Sequence, residues 1–396
     1  MGYIRGFAIV GLAGNATRIQ YDLDRHLNIF WGLNGCGKTS LLKILHSALI
    51  DNSRLLAKVP FTEATVDFSI DGSSAIFRRT IEKKNISNED QLIFQRLYGD
   101  SGDRELEWLR QMETNTGWKT TRIGARRTVS RKNFPSRVQH GYLPISRVVD
   151  LPNEQRRHPS QASPIDDDYL DILFARQLRL RWQVYKSNAL DKIQLLQQRG
   201  IGEILSILFG DIRATQRRSP GTKLAADDAF DLVVRFLRNQ KINIRFDKQS
   251  FEAQYDHDPK IRQVIARIEE VDEERQLALR PQEELRAVIE DLYGGSKKLH
   301  LDGKDGLGVY LSSSDMRIPI EQLSSGERQL LRILLETMIA ETSAVLIDEP
   351  ELSMHVDWQR ELVKSMQLVN PECQMILATH SPEVMALVPD ANIYEL

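Results

Sequence analysis

The chain has 396 residues, 41% hydrophobic and 27% charged, which excludes wholesale disorder and leaves material for two or perhaps three domains at roughly 150 residues each. Its 53 basic and 55 acidic residues give a formal net charge of -2, so any nucleic-acid contact must come from a local patch, not from a global field. Two cysteines far apart, Cys36 and Cys373, exclude a disulfide framework and fit a reducing compartment. No apolar run approaches the ~20 residues of a membrane span and the N-terminus lacks a signal-peptide core, so a soluble cytoplasmic protein without a membrane partner is expected.

The first 31 residues read as strands: 4–12 is apolar and β-rich, 17–23 alternates, and 26–31 is a short buried strand. Gly32-Leu33-Asn34-Gly35-Cys36-Gly37-Lys38-Thr39-Ser40 then fits G-x-x-x-x-G-K-[ST], and residues 39–48 space Leu41, Leu42, Ile44, Leu45 and Ala48 as a helix does. Strand, glycine-rich turn and helix are the setting in which this pattern binds phosphate. The glycines let successive backbone N–H groups face an anion, and the helix start adds partial positive charge. Lys38 is placed to bridge the β- and γ-phosphates of a nucleotide and the Thr39 hydroxyl to ligate Mg²⁺.

Residues 64–70 and 75–81 flank Asp71-Gly72-Ser73-Ser74 as a β-hairpin. Residues 85–137 are polar and poorly periodic. Between 119 and 137 lie seven basic residues and no acidic one; Arg126, Arg127, Arg131 and Lys132 are the candidate nucleic-acid contacts, although an exposed basic loop serving a protein is the plainer alternative. Residues 141–149 read as a buried strand. From 167 to 293 the pattern turns helical, with Leu170, Leu173, Phe174, Leu178 and Leu180 in one stretch. Ile261, Val264, Ile265, Ile268 and Val271 follow in another, before Pro281 is expected to interrupt. Asp166-Asp167-Asp168 lies at the helix start, where carboxylates cap N–H groups. No His/Cys set has metal-ligand spacing. Strand character returns from Leu307.

The remaining chemistry is concentrated after residue 320. Leu323-Ser324-Ser325-Gly326-Glu327 opens a helix, residues 344–348 form an apolar strand ending at Asp348-Glu349, and 375–379 form another ending at His380. Asp348 can hold Mg²⁺ through a water, Glu349 can polarise an attacking water, and His380 can reach a γ-phosphate. The hydroxyls, glycine and helix start at Ser324, Ser325, Gly326 and Glu327 make a second anion-binding device. One nucleotide seldom needs two such devices from one chain, so the second is expected to serve the nucleotide of a partner subunit.

Together these motifs resemble the ABC-type ATPase set: Walker A at 32–39, signature at 323–327, Walker B at 345–349, then D-loop and H-switch. The resemblance implies an α/β fold: a P-loop ABC-type ATPase head with a mixed sheet core, an antiparallel β layer and an inserted helical subdomain. It implies lobes at 1–150 and 301–396 around an insertion at 151–300. The cofactors implied are ATP and Mg²⁺. Gly32, Asn34, Gly35, Cys36, Gly37, Lys38, Thr39 and Ser40 would bind nucleotide. Thr39 and Asp348 would hold the metal, and Lys38, Glu349 and His380 would be catalytic. Ser324, Ser325, Gly326 and Glu327 would act across an ATP-sandwiched homodimer or higher assembly, with Leu352 and Ser353 at the D-loop. SSGE in the signature, the run DEPELSMHVDWQ and ATHSP resemble the SMC/RecF/OLD-like branch. Because the chain stops sixteen residues after His380, no Toprim nuclease domain is expected. The resemblance then points to the stand-alone ATPase subunits of anti-phage systems of the Septu PtuA and PARIS AriA type, which work with a separate effector, a nuclease or toxin. A RecF/SMC-like DNA-repair ATPase and an ABC importer ATPase are the alternatives. Gln139 precedes the strand at 141 and is left unassigned as a glutamine-loop residue.

Overall fold

The computed structural model describes residues 2–70, 75–83, 117–123, 137–145, 167–209, 224–240, 247–301 and 306–396. The four candidate nucleic-acid residues, Arg126, Arg127, Arg131 and Lys132, lie outside them, as do the 71–74 turn and Asp166.

Strand β1 (Gly2–Val10) pairs antiparallel with β2 (Arg18–Asp22), and β3 (Leu27–Trp31) leads through the glycine-rich loop into helix α1 (Lys38–Ile50). Next come β4 (Glu63–Ile70), β5 (Ile76–Glu82) and β6 (Lys119–Arg122), which complete an antiparallel sheet of order β2-β1-β4-β5-β6. The inward residues of β4, Ala64, Val66 and Phe68, keep strict alternation. Those of β1 are Ile4, Phe7 and Ile9, a change of parity that the register shift between Ile4 and Gly6 accounts for. One extra residue in the strand turns every later side chain to the opposite face.

β7 (Gly141–Leu143) is followed by the helices α2 (Asp167–Phe209), α3 (Ala226–Asn239), α4 (Lys248–His257) and α5 (Pro259–Leu292). A small antiparallel sheet of β8 (Lys297–His300), β9 (Gly308–Leu311) and β10 (Arg317–Ile318) precedes α6 (Ser325–Ile339). The chain then alternates β11 (Ala344–Asp348), α7 (Val356–Val369), β12 (Gln374–Thr379), α8 (Pro382–Met385) and β13 (Ile393–Glu395).

The central sheet has the order β13-β3-β12-β11-β7, and all its described pairings are parallel. Antiparallel pairing is confined to the two other sheets. β11 and β12 are buried along their whole length, as strands covered on both faces must be, which explains their unbroken apolar runs. α1 lies in the core with the antiparallel sheet: Phe7, Phe30, Leu41, Leu45, Phe68, Leu346 and Ile376 belong to one cluster. The buried Gln374 ties β1 to this sheet: its Oε1 accepts from the Ile4 N–H at 2.8 Å and its Nε2 donates to the Ile4 carbonyl at 2.8 Å.

The chain divides into two compact units, one of 1–178 with 284–396, the other of 179–283. These divisions fall inside α2 and α5, and the second unit lies within the span expected for the insertion, 151–300. The second unit has its own core of Leu232, Phe236, Tyr255, Ile265, Ile268 and Val271. Two details differ from expectation. Leu180 is half exposed, because the buried stripe of α2 follows Phe174, Leu178, Trp182 and Tyr185. Pro281 does not interrupt α5, which runs through it. A proline leaves the carbonyl four residues earlier without its donor. Here that residue is Leu277, which is largely exposed, so water can satisfy the carbonyl. Among the described residues no helix is long and apolar enough to cross a membrane.

Candidate active site

Because β3, β11 and β12 run parallel, their carboxyl ends share one edge of the sheet, and the chain leaves that edge at Trp31, Asp348 and Thr379. The loop after β3 needs its glycines: Gly35 has φ 91° and Gly37 φ 108°, values that L side chains rarely adopt. A Cβ on Gly32 would lie 2.8 Å from Cys36 Sγ, so the loop closes on itself at that point. α1 starts at Lys38, which is 5% exposed; its Nζ donates to the Gly32 carbonyl at 2.7 Å and stands 3.7 Å from Glu349 Oε1. Leu33, Asn34 and Gly35 face solvent, while Thr39 and Ser40 are half-buried in the first turn.

At the end of β11, Asp348 is buried and neither carboxylate oxygen has a hydrogen-bond partner of proper geometry. Burial pushes its pKa up to about 6, against the Thr39 hydroxyl beside it and the Lys43 and Lys38 charges, which lower it. Two oxygens withdrawn from water, next to a hydroxyl, are the donor set a hard divalent cation takes, so Asp348 and Thr39 fit Mg²⁺. Glu349 follows at φ 50°, a left-handed conformation that a non-glycine residue holds at a cost of about 1–3 kcal/mol. Its N–H donates to the Ala378 carbonyl at 2.8 Å, and its carboxylate meets His380 Nδ1. Burial raises the Glu349 pKa and the Glu351 carboxylate raises it further, while His380 lowers it.

No His/Cys set had metal-ligand spacing in the sequence, yet the fold brings Glu349, Glu351 and His380 together with ligand atoms within 4.8 Å of one another. They come from two loops about thirty residues apart, which spacing arguments do not join. Glu351 was legible only as part of the run DEPEL; the acceptor role of its side chain emerges once β11 and β12 are paired.

The signature residues sit at the start of α6. Ser324 is its N-cap, and Ser324 and Glu327 form a reciprocal capping box: the Glu327 N–H donates to Ser324 Oγ at 3.3 Å and the Ser324 N–H to Glu327 Oε2 at 2.9 Å. Burial would raise the Glu327 pKa, but the ion pair with Lys297 and the Ser324 N–H outweigh it and hold it below the carboxylate range. The Tyr293 hydroxyl donates to the Glu327 carbonyl at 3.0 Å. The Glu327 carboxylate is thus tied within its own chain, whereas Ser324 is exposed and Ser325 half-buried. Gly326 has a packing reason to be glycine: an added Cβ would come within 2.5 Å of the Ser353 carbonyl oxygen. Signature and D-loop are therefore in contact, with Leu352 and Ser353 exposed beside them.

Gln139 precedes β7, which runs parallel to β11, so it stands at the sheet edge opposite Asp348 and does not face the loop. Its neighbour His140 forms a different cluster. His140 Nδ1 lies 2.9 Å from the Val138 carbonyl and must donate to it, which makes His140 Nε2 an acceptor for His46 Nδ1 at 2.7 Å. Burial first, then the electrostatic effect of the neighbouring His140 and Arg137, lower the His46 pKa to about 3. The native state therefore keeps His46 neutral where the unfolded chain binds a proton. Stability contributed here is complete above pH 6.5 and declines as pH falls from there toward 3, by up to about 1 kcal/mol per pH unit. Melting between pH 7 and 5 should show a shallower slope in His46→Phe, which keeps the stack on Tyr142; an unchanged slope would contradict the assignment.

The sequence of residues 3–293 matches the family model described as "AAA domain". Residues 310–386 match a second, "AAA domain, putative AbiEii toxin, Type IV TA system". Among curated proteins, the chain is 27% identical over 134 residues to "Retron Vc95 probable ATPase" of Vibrio cholerae serotype O1 biovar El Tor, a region covering 31% of this chain and 26% of that protein. It is 26% identical over 103 residues to "Retron Ec83 probable ATPase" of Escherichia coli, covering 23% of this chain and 19% of that one. The matched stretches thus span about a quarter and a fifth of those relatives' lengths. Among solved structures, an Smc head domain with an extended coiled coil from Pyrococcus furiosus, bound to the C-terminal domain of ScpA, aligns at a TM-score of 0.43 and 13% identity over 100% of this chain and 93% of that one. One from Pyrococcus yayanosii aligns at 0.43 and 13% over 100% and 95%. The chain belongs to the AAA domain family.

Proposed function

We propose that this chain is the ATP-hydrolysing subunit of an anti-phage defence complex of OLD-like type, in which nucleotide state controls a separate effector, a nuclease or toxin. The observation that carries the reading is the meeting of Lys38, Asp348, Glu349 and His380 at one sheet edge, behind a glycine loop that opens α1. Similarity to two retron ATPases and to the AbiEii-type family supports the defence setting.

In this reading the backbone N–H groups of 34–39 hold the phosphates and Lys38 exchanges its carbonyl partners for the β- and γ-oxygens. Thr39 and Asp348 hold Mg²⁺, which when bound neutralises charge on the phosphates. Glu349 orients a water and takes its proton, and His380, held by that carboxylate, contacts the γ-phosphate. Ser324, Ser325 and Gly326 of a second copy close the site from the other side. ATP then completes the interface between heads, and cleavage removes the γ-phosphate that bridges them. Size-exclusion chromatography with light scattering tests this. Glu349→Gln with ATP and Mg²⁺ should run as a dimer or larger assembly, and Lys38→Ala should not respond. Identical profiles for both, with and without ATP, would sink the sandwich.

A further inference from the structure

We propose that Glu351 is the positioning residue that fixes His380 against Glu349, holding the turn after β12 through one carboxylate oxygen. The proposal deepens the ATPase reading and rests on it for its kinetic consequence.

Glu351 is 5% exposed and three residues past Asp348. Its Oε1 accepts from the Thr379 hydroxyl at 2.6 Å, the His380 N–H at 2.9 Å and the Ser381 N–H at 3.1 Å. The same oxygen lies 3.2 Å from His380 Nδ1. The Thr379 hydroxyl also accepts from the Ser381 N–H at 2.9 Å, so the donors form a short cooperative network ending on the carboxylate. A buried carboxylate beside Asp348 and Glu349 is unfavourable unless donors are arranged around it, and charge-assisted bonds of this kind are the strong ones.

Simple stapling of the strand is a poor account of that arrangement. β12 is already paired along its length with β3 and β11, and the Ser381 hydroxyl is separately held by Gln359 Oε1 at 2.7 Å. What Glu351 alone supplies, among the described contacts, is the anchor for the His380 N–H. The Glu349 side is fixed independently, by its N–H on the Ala378 carbonyl. Both partners of the Glu349–His380 contact are thus set from the β11–β12 edge, one by backbone pairing and the other by Glu351.

The test uses the full chain with ATP and Mg²⁺. Glu351→Ala should lower kcat about 100-fold while KM moves less than about 3-fold, the effect of misplacing a reacting group without removing binding. Glu351→Gln, whose amide oxygen accepts the same three donors, should recover kcat to within about 5-fold of wild type. A readout independent of hydrolysis is amide exchange across 374–386: Glu351→Ala should speed exchange at His380 and Ser381 and leave β12 protected. Where Glu351→Ala folds poorly, Glu351→Asp, too short to reach the turn, carries the same comparison. Wild-type turnover in Glu351→Ala, or a Gln variant as slow as Ala, would overturn the proposal. So would unchanged exchange at the turn. Absence of ATP turnover in the wild-type chain would instead remove the ATPase reading, leaving the exchange result to decide the structural half.

Discussion

Glu349→Gln should lower ATP turnover by about 1000-fold and leave ATP affinity within about 3-fold of wild type. Glutamine keeps the length and one oxygen of the side chain, so the contact with His380 and the strained turn after β11 can persist. It cannot accept the proton that the attacking water must lose. In the proposed role Glu349 is a better base than an exposed carboxylate, because burial and the neighbouring Glu351 both raise its proton affinity while His380 tempers the effect. Lys38 Nζ, 3.7 Å away, supplies positive charge without a tight ion pair that would hold the carboxylate back. Single-turnover phosphate release with a parallel fluorescent-nucleotide titration separates the two quantities. Equal losses of binding and turnover would mean that Glu349 holds nucleotide and does not activate water.

Arg79→Met should destabilise the P-loop unit by about 3 kcal/mol, because it removes the donor that ends α1. Arg79 is 1% exposed, on β5 of the antiparallel sheet. Its Nη1 donates to the carbonyls of Ala48 and Leu49, its Nε to Thr120 Oγ1 at 3.2 Å, and its guanidinium lies 5.2 Å from the Phe68 ring centre. The last carbonyls of a helix have no internal donors and carry the negative end of its dipole, so a buried cation there satisfies both. Burial lowers the Arg79 pKa and Asp51, at 4.0 Å, partly restores it. Methionine fills the space but leaves those carbonyls dry and unpaired. A loss of about 3 kcal/mol corresponds to about 5 °C in Tm for a unit of this size. Asp51→Asn, which touches only the half-exposed partner, should cost less than about 1 kcal/mol. A Tm within about 1 °C of wild type for Arg79→Met would contradict the capping role.

The parts of the site borne on contiguous motifs were legible because local geometry dictates their residues. Gly35 and Gly37 are glycines for their positive φ, and Asp348 and His380 lie at the ends of short apolar runs that read as strands, which the structure pairs in parallel. The parts made by tertiary pairing were not. The four contacts to Glu351 Oε1 join two loops, Lys297 reaches Glu327 across thirty positions, and His46 meets His140 across 94. Nothing in local spacing encodes such meetings; they exist once the strand order is fixed. Helical periodicity placed the helices but also took in the half-exposed Leu180, and the rule that proline stops a helix failed at Pro281, where the residue whose carbonyl is freed, Leu277, is largely exposed. The β1 bulge likewise hides from a reading by alternation, since one inserted residue reverses it.

The most direct measurement is steady-state phosphate release by the purified full chain with ATP and Mg²⁺, set beside Lys38→Ala. Steady release by the wild-type chain, reduced to background in Lys38→Ala and dependent on Mg²⁺, is the predicted result. Release that persists unchanged in Lys38→Ala, or no release and no nucleotide binding by the wild-type chain, would contradict it.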